Sequence, residues 1–390
     1  DLALLSVRDA RFFDGTSPVE IGSDPKQGDT VYAHGYPIGG DELSVTKGVV
    51  SRVELSPYFH SYKSFLNVQI DAALNAGNSG GPVIKDGKIA GVAFQNYQKA
   101  ESTGYAIPPS IIRHFLNGIK PSGYRGFASL GVWWQSLENK AARTMLGMAD
   151  NQSGVLALMA VYGTSAYGKI LENDVILAID GVKIANDGTV PLKDSGKVRV
   201  KFSHVVQSKY EGDKVSVSII RDKKPMTVDV VLKREEEKIP TIEYDVKPDY
   251  YIFGGVVFTK LTGNFLREWG EISKSPIRLA SKYYFDYMTE DSLESVFLLQ
   301  VLADDTNDGY HDLNYLLVEA VNGQKIRDIT DLAQKIENNK EKYLVVTLSD
   351  NRKLILDYEK SKKAGPEILK RYQIQSPASE KISSKLKAEK

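Results

Sequence analysis

Cysteine is absent from the 390 residues, which excludes disulfides, zinc–thiolate centres and thiol nucleophiles and leaves the redox compartment open. Net charge is absent as well: 50 Lys and Arg face 50 Asp and Glu. No overall field draws the chain to nucleic acid or to an anionic membrane. No apolar run approaches the roughly 18 residues that cross a bilayer, and the longest, at 296–303, has the length of a strand. Histidine is scarce, and the five present include no pair at the His-x-x-x-His spacing of a metal hydrolase. A phosphate-binding Gly-Lys loop is missing too, so nucleotide use is not expected. The sequence calls for no cofactor and no metal. The chain opens on Asp1 instead of Met, inside the strand-like Asp1-Leu2-Ala3-Leu4-Leu5, and we expect a segment upstream of it.

What is there is the balance of a globular protein, with 42% hydrophobic and 26% charged residues, enough to build real cores. The length predicts two to four domains. Short apolar runs at 30–33, 44–53 and 68–72, broken by Gly, Pro and Asp, suit an antiparallel barrel. Ile111, Ile112, Phe115, Leu116 and Ile119 then recur at helical spacing and predict a helix that closes this first unit. Two later stretches share a layout. One has a strand at 130–134, a helix near 140–145 and the run 174–181; the other has Phe258 near its first strand and 317–323 echoing 176–181. This is a weak internal repeat. Beyond Glu359 the text is rich in Lys, Ser and Glu and reads as a partly mobile tail. The expected domains are 1–122, 123–238 and 239–360, with a tail at 361–390, and the fold class is mainly β with α+β modules.

The most informative stretch is Asp71-Ala72-Ala73-Leu74-Asn75-Ala76-Gly77-Asn78-Ser79-Gly80-Gly81-Pro82. A serine hydroxyl attacks a carbonyl only when a base takes its proton and donors await the oxyanion. The glycines around Ser79 permit a tight turn that aims consecutive N–H groups at one point. We therefore read Ser79 as a nucleophile and the loop Gly77, Asn78 and Ser79 as an oxyanion hole, with donation from the amides of Gly77 and Ser79. A Gly/Asn-rich hairpin carrying an incidental serine is the competing reading. Val83-Ile84, a turn at Asp86-Gly87, and the run 89–94 make a hairpin directly after the serine, the order that a chymotrypsin-like barrel requires.

The stretch Val45-Thr46-Lys47-Gly48-Val49-Val50-Ser51, the segment 69–82 and the opening 1–5 resemble the HtrA/Deg family of serine proteases. So do Asn186-Asp187-Gly188-Thr189-Val190 and 208–213, and the likeness looks closest to a plant-Deg-like branch. The resemblance covers nearly the whole chain. It implies a chymotrypsin-like β-barrel protease domain, N-terminally incomplete, followed by two PDZ-like domains. It assigns the catalytic aspartate to Asp1, which would hold the histidine tautomer and stabilise the imidazolium. It also implies that the triad histidine lies upstream of Asp1, because His34 and His60 fall between Asp1 and Ser79, and His114, His204 and His311 fall later.

In such folds Leu74, Ala93 and Phe94 would line the pocket for the residue before the scissile bond, with Ala73 near the place where trypsin-like enzymes keep an acid. Cleavage after small or medium apolar residues is the expectation, with the substrate pairing along 94–96. Ser129-Leu130-Gly131-Val132 resembles the carboxylate-binding loop of HtrA-type PDZ domains, and Phe253-Gly254-Gly255-Val256 occupies the equivalent place in the second. Trp133 and Trp134 are expected either in simple core packing or split between core and groove, and the aromatic insertion 263–287 either contacts another subunit or forms a local core. The family implies an ATP-independent quality-control endopeptidase acting on unfolded proteins, a homo-oligomer of three or more subunits, and peptide C-termini at the first PDZ domain. The location would be periplasmic for a bacterial chain, and an organelle or the nucleus for a plant-like one. A non-catalytic PDZ scaffold or holdase on a degenerate protease fold is the alternative.

Overall fold

The computed structural model describes residues 1–37, 41–96 and 103–388. Its first element of consequence is a closed antiparallel barrel of six strands: β1 (Thr30–Gly35), β2 (Ser44–Pro57), β3 (Ser64–Ile70), β4 (Pro82–Lys85), β5 (Lys88–Asn96) and β6 (Gly104–Ile107). They close in the order β1-β2-β3-β6-β5-β4. Alternation dictates the inside: on β1, Val31, Ala33 and Gly35 are buried, while Tyr32 and His34 point outward. Asp86 and Gly87, at φ +50° and +73°, make the left-handed two-residue turn between β4 and β5 that matches strand twist. Helix α1 (Pro109–Gly118) follows, starting on a proline and burying Ile111 and Ile112 as the helical spacing predicts.

By packing, the chain falls into two compact units, 1–160 with 164–235, and 161–163 with 236–390. The expected boundary at 122/123 is thus not a packing boundary. Val31, Leu66 and Ile107 of the barrel share one buried cluster with Leu130, Ile176 and Val217. An aromatic column fastens the two parts: Phe65 to Phe127 at 4.4 Å, Phe127 to His114 at 4.3 Å, and His114 to Tyr210 at 4.1 Å between centroids.

The internal repeat is real at the level of topology. In the first unit the sheet runs Val132–Ser136, Val155–Ala160, Val175–Ile179, Lys214–Arg221, Lys224–Val231, with Val182–Lys183 attached to the third strand. In the second unit the run Val256–Lys260, Val296–Val301, Leu316–Val321, Tyr343–Leu348, Lys353–Asp357 has the same order, with Gln324–Lys325 attached to its third strand. Irregularities fall at matching places, between Trp133 and Trp134 and between Val257 and Phe258. The second sheet carries one strand more, Tyr250–Phe253, on its outer edge.

Two expectations need correction. Residues 1–7 form no strand: no sheet neighbour accepts a ladder from them, and Leu4 and Leu5 are 65% and 87% exposed. The stretch read as a mobile tail is instead two helices, Tyr358–Arg371 and Glu380–Ala388, with Ile368 and Ile382 buried. Its composition misled because a helix needs only a narrow apolar stripe to dock. Of the two readings of the insertion 263–287, the local core is present. Phe265 packs on Phe297 at 4.8 Å and joins Leu261, Leu266 and Leu279 in a local core, whereas Ile277 and Phe285 are exposed.

If the C-terminal helix is part of the core, Ile382→Ala costs about 2–4 kcal/mol in urea denaturation, while the exposed Lys387→Ala changes nothing measurable. Equal, negligible shifts for both would return the segment to a solvated tail.

Candidate active site

Between β3 and β4 the chain must turn sharply, and the residues of the loop leave it one way to do so. The Asn78 amide donates to the Asn75 carbonyl at 3.0 Å, closing a four-residue turn. Gly77 sits at φ +102° while Ala76 is not left-handed, which makes the turn type II, with glycine at the position that requires it. Gly80, at φ +86°, then donates to the Ala93 carbonyl at 2.7 Å, and the Ala93 amide donates to the Gly81 carbonyl at 2.9 Å. One residue of β5 thus pins the loop by both of its backbone groups.

β1 closes on the same loop. A Cβ on Gly81 would stand 2.1 Å from the His34 carbonyl oxygen, and one on Gly35 would stand 2.5 Å from Asn78 Oδ1. No side chain fits at either place. Asn78 is buried by this approach, and its Oδ1 has no hydrogen-bond partner.

Of the consecutive amides 77 to 80, those of Asn78 and Gly80 are bonded, while those of Gly77 and Ser79 meet no acceptor among the described residues. Ser79 itself is exposed. An exposed hydroxyl flanked by two uncommitted N–H groups is an arrangement that can meet negative charge developing on an attacked carbonyl.

The approach to the loop is held by residues that the sequence reading passed over. Asp71 Oδ1 accepts from the Val49 amide at 2.5 Å, and the Thr46 hydroxyl donates to the Ala73 carbonyl at 3.0 Å. Gly48 permits this, since a Cβ there would lie 2.3 Å from the Ala72 nitrogen. The signal was available: a glycine inside an apolar strand pattern marks a close backbone approach.

The residues expected to line a pocket divide. Leu74 is buried against Gly104 of β6, where a Cβ would lie 2.6 Å from Leu74 Cδ1. Ala93 is buried and serves the loop through its backbone. Phe94 turns toward Tyr58 of the barrel, 4.6 Å between centroids. Neither Ala73, Leu74 nor Ala93 carries a charge. Beyond Val92, β5 is paired only with β6, so residues 94–96 keep one strand edge unpaired by any other described strand.

Among the described residues no histidine is hydrogen-bonded to Ser79, whose hydroxyl meets no described partner. His114 is a packing residue, stacked in the aromatic column, with Nε2 3.1 Å from the Gly126 carbonyl and its pKa pushed down by burial. His34 sits on the outward face of β1 with Nδ1 3.2 Å from the Tyr32 carbonyl. His60 lies edge-on to Phe59, burial pushes the pKa of His204 down, and His311 meets Asn307 Oδ1 at 2.9 Å. Asp1 is exposed at the head of the chain. Among the described residues no cluster of His, Asp and Glu stands ready to hold a metal ion.

The second sequence-predicted site, Ser129-Leu130-Gly131-Val132, is a loop held from behind. Ser165 Oγ donates to the Ser129 carbonyl and accepts from the Lys233 amide at 2.8 Å. The Ala166 amide donates to the Leu130 carbonyl at 3.0 Å. Gly131, at φ +73°, packs so tightly on Thr164 that a Cβ would lie 2.2 Å from it. The amides of Leu130 and Gly131 meet no described acceptor. Val132–Ser136, which follows, is an edge strand with no partner on its outer side among the described strands. Trp133 is half exposed, and Trp134 packs 5.4 Å from Phe202.

The trypsin-like peptidase domain family matches residues 1–92, and the PDZ domain family matches residues 239–381. The chain is 38% identical to putative protease Do-like 3, mitochondrial, of Arabidopsis thaliana, over 99% of this chain and 67% of that protein. It is 40% identical to protease Do-like 2, chloroplastic, of the same plant, over 97% of this chain and 62% of that one. It therefore spans about two thirds of the length of these relatives. A solved HtrA-type protease, AlgW with tripeptide, is 26% identical at a TM-score of 0.44, covering 56% of this chain and 70% of that one.

Close backbone contact at the loop predicts a cost for any side chain placed there. Gly81→Ala destabilises by about 1–3 kcal/mol through overpacking, read by guanidinium denaturation, and a neutral Gly81→Ala contradicts the contact.

Proposed function

The chain belongs to the Do-like (HtrA/Deg) family of serine proteases, and from that premise we propose that it is the greater part of an ATP-independent endopeptidase that hydrolyses unfolded proteins with Ser79 as nucleophile. The observation that carries this reading is the pair of uncommitted amides, Gly77 and Ser79, on either side of the buried Asn78. The Ser79 hydroxyl adds to the substrate carbonyl, and its proton passes to a histidine that we place upstream of Asp1. The oxyanion accepts from the two amides. The proton then goes to the departing amine, and water releases the acyl group from Ser79 by the same steps. A single oxyanion donor is worth about 3–4 kcal/mol of barrier. Asp1 is the carboxylate we assign to orient the imidazole.

For the residue preceding the scissile bond we place a shallow recess at Leu74, Ala93 and Phe94, none of them charged, which favours small or medium apolar side chains. The open edge at 94–96 suits an extended substrate paired as an added strand. At Ser129-Leu130-Gly131-Val132 the free amides and the open edge strand suit a peptide C-terminus. We further propose a homo-oligomer, with the exposed Ile277 and Phe285 as a surface it could bury, and an organellar location in keeping with the mitochondrial and chloroplastic relatives.

A protein extended upstream of Asp1 should be labelled at Ser79 by a phosphonofluoridate and should cleave casein, whereas Ser79→Ala does neither. Absence of labelling in the wild type would favour the non-catalytic scaffold. In the same protein Leu74→Ala should open the recess and move cleavage toward Phe and Tyr by roughly tenfold or more in kcat/KM relative to Val, in keeping with the 1–3 kcal/mol that a methylene-sized change carries. Unchanged preference in a peptide library would remove Leu74 from the pocket.

A further inference from the structure

The two repeated modules differ at the place where a peptide would be received. In the first, one glycine, Gly131, turns the chain between Ala128–Ser129 and Val132–Ser136. The preceding strand goes elsewhere, pairing with Lys233–Arg234, and the outer edge of Val132–Ser136 has no partner among the described strands. In the second, Gly254 and Gly255 both lie in the left-handed region, at φ +54° and +83°. They make a two-residue hairpin of the primed kind, so that Tyr250–Phe253 folds back onto Val256–Lys260 with Phe253 opposite Val256 and Tyr251 opposite Phe258. The turn is clamped: Asn307, fully buried, donates from Nδ2 to the Gly254 and Leu302 carbonyls at 2.8 Å each, and the Leu302 amide donates to the Gly255 carbonyl at 2.7 Å. The extra strand of the second sheet therefore lies along the edge that is open in the first.

That strand would itself expose an edge, and the chain covers it. In the hairpin register the backbone groups of Tyr250 and Ile252 face outward. The Ile252 amide donates to the Pro377 carbonyl at 2.7 Å, and the Ser379 amide donates to the Tyr250 carbonyl at 3.0 Å, with Tyr251 bridging Ala378. The cover is fastened by Lys381, whose ammonium lies 2.8 Å from Asp249 Oδ2, a carboxylate buried beside Lys260. Side chains agree with the backbone: Tyr251, Ile252 and Phe253 are all buried, which an edge strand awaiting a partner would not require.

We propose that the second module is self-complemented: Tyr250–Phe253 supplies the strand that a bound peptide would supply, and residues 376–381 seal that strand. Peptides ending in a free carboxylate then engage this chain at the first module alone, a clause that rests on the peptide-receiving reading given above.

Hydrogen exchange on the whole chain tests both halves. The first arm adds a pool of random hexapeptides with free C-termini, and the same pool amidated as a control. The free-carboxylate pool should slow exchange within 130–136 and leave 250–260 unchanged. Slowing within 253–260 overturns the proposal. Silence in both stretches overturns the first-module clause alone.

The second arm compares the chain ended after Gln375, and Lys381→Ala in the full chain, with the wild type. Exchange at Ile252 should rise about a hundredfold on truncation and by a smaller factor for Lys381→Ala, as expected when a local opening replaces a structural bond. Tyr251 and Phe253, paired to Val256–Lys260, should stay protected. An Ile252 amide that is unaffected in Lys381→Ala and in a folded truncated chain overturns the seal. Should the truncated chain not fold, Lys381→Ala and the peptide arm still decide.

Discussion

A close approach of backbone to backbone governs the candidate site. His34 and Gly35 on β1 come so near Gly81 and Asn78 that no Cβ fits between them, and Ala93 on β5 binds the same loop from the other side. The loop cannot relax in either direction. One bond within the loop and one to Ala93 take up the amides of Asn78 and Gly80, and those of Gly77 and Ser79 meet no acceptor among the described residues. Closure of the six-stranded barrel is what brings β1, β4 and β5 together, so the site depends on the barrel as a whole and on no single contact within it. The unpaired Oδ1 of Asn78 is a cost accepted there, since a buried acceptor without a partner loses its hydration.

The first module is joined to this barrel by an apolar and aromatic seam instead of a linker. His114 at the centre of the column is held between two ring faces, with Nε2 directed at the Gly126 carbonyl. A neutral imidazole donating from Nε2 satisfies that contact, and burial favours the neutral form. Arg125 lies over the opposite partner, 4.5 Å from the Tyr210 ring, and pairs with Asp213. The seam is therefore mostly a packing joint, with its charges at the rim where water screens them.

Much of this was legible from residue order. The barrel strands, the Asp86-Gly87 turn, α1 and the helix Lys140–Met145 follow from periodicity and turn chemistry. Three things were not. β6 is only four residues long and fully buried, too short for alternation to declare itself. The shared core of barrel and first module depends on Phe127 and Tyr210, whose partners Phe65 and His114 stand far off in sequence. The C-terminal helices offer the core Tyr358, Ile368 and Ile382, with Leu369 and Leu386 partly buried beside them, a signal swamped by the lysines around them. At the loop the nucleophile candidate was plain from its glycines, but Asp71, Thr46 and Gly48 act through backbone contacts that a motif does not display.

The contrast between the modules shows how small a change redirects a fold element. Both carry a glycine turn before the corresponding strand, and the sequence reading treated the two as equivalents. One glycine at φ +73° sends the preceding strand away, whereas two consecutive left-handed glycines return it as a hairpin. The strands concerned agree with their fates, because Ala128–Ser129 offers little to bury while Tyr250–Phe253 carries three large buried side chains. Burial and turn geometry thus favour the same outcome in each module. An edge strand left open to solvent invites partners; the first module keeps such an edge where free amides adjoin it, and the second closes its edge with its own chain.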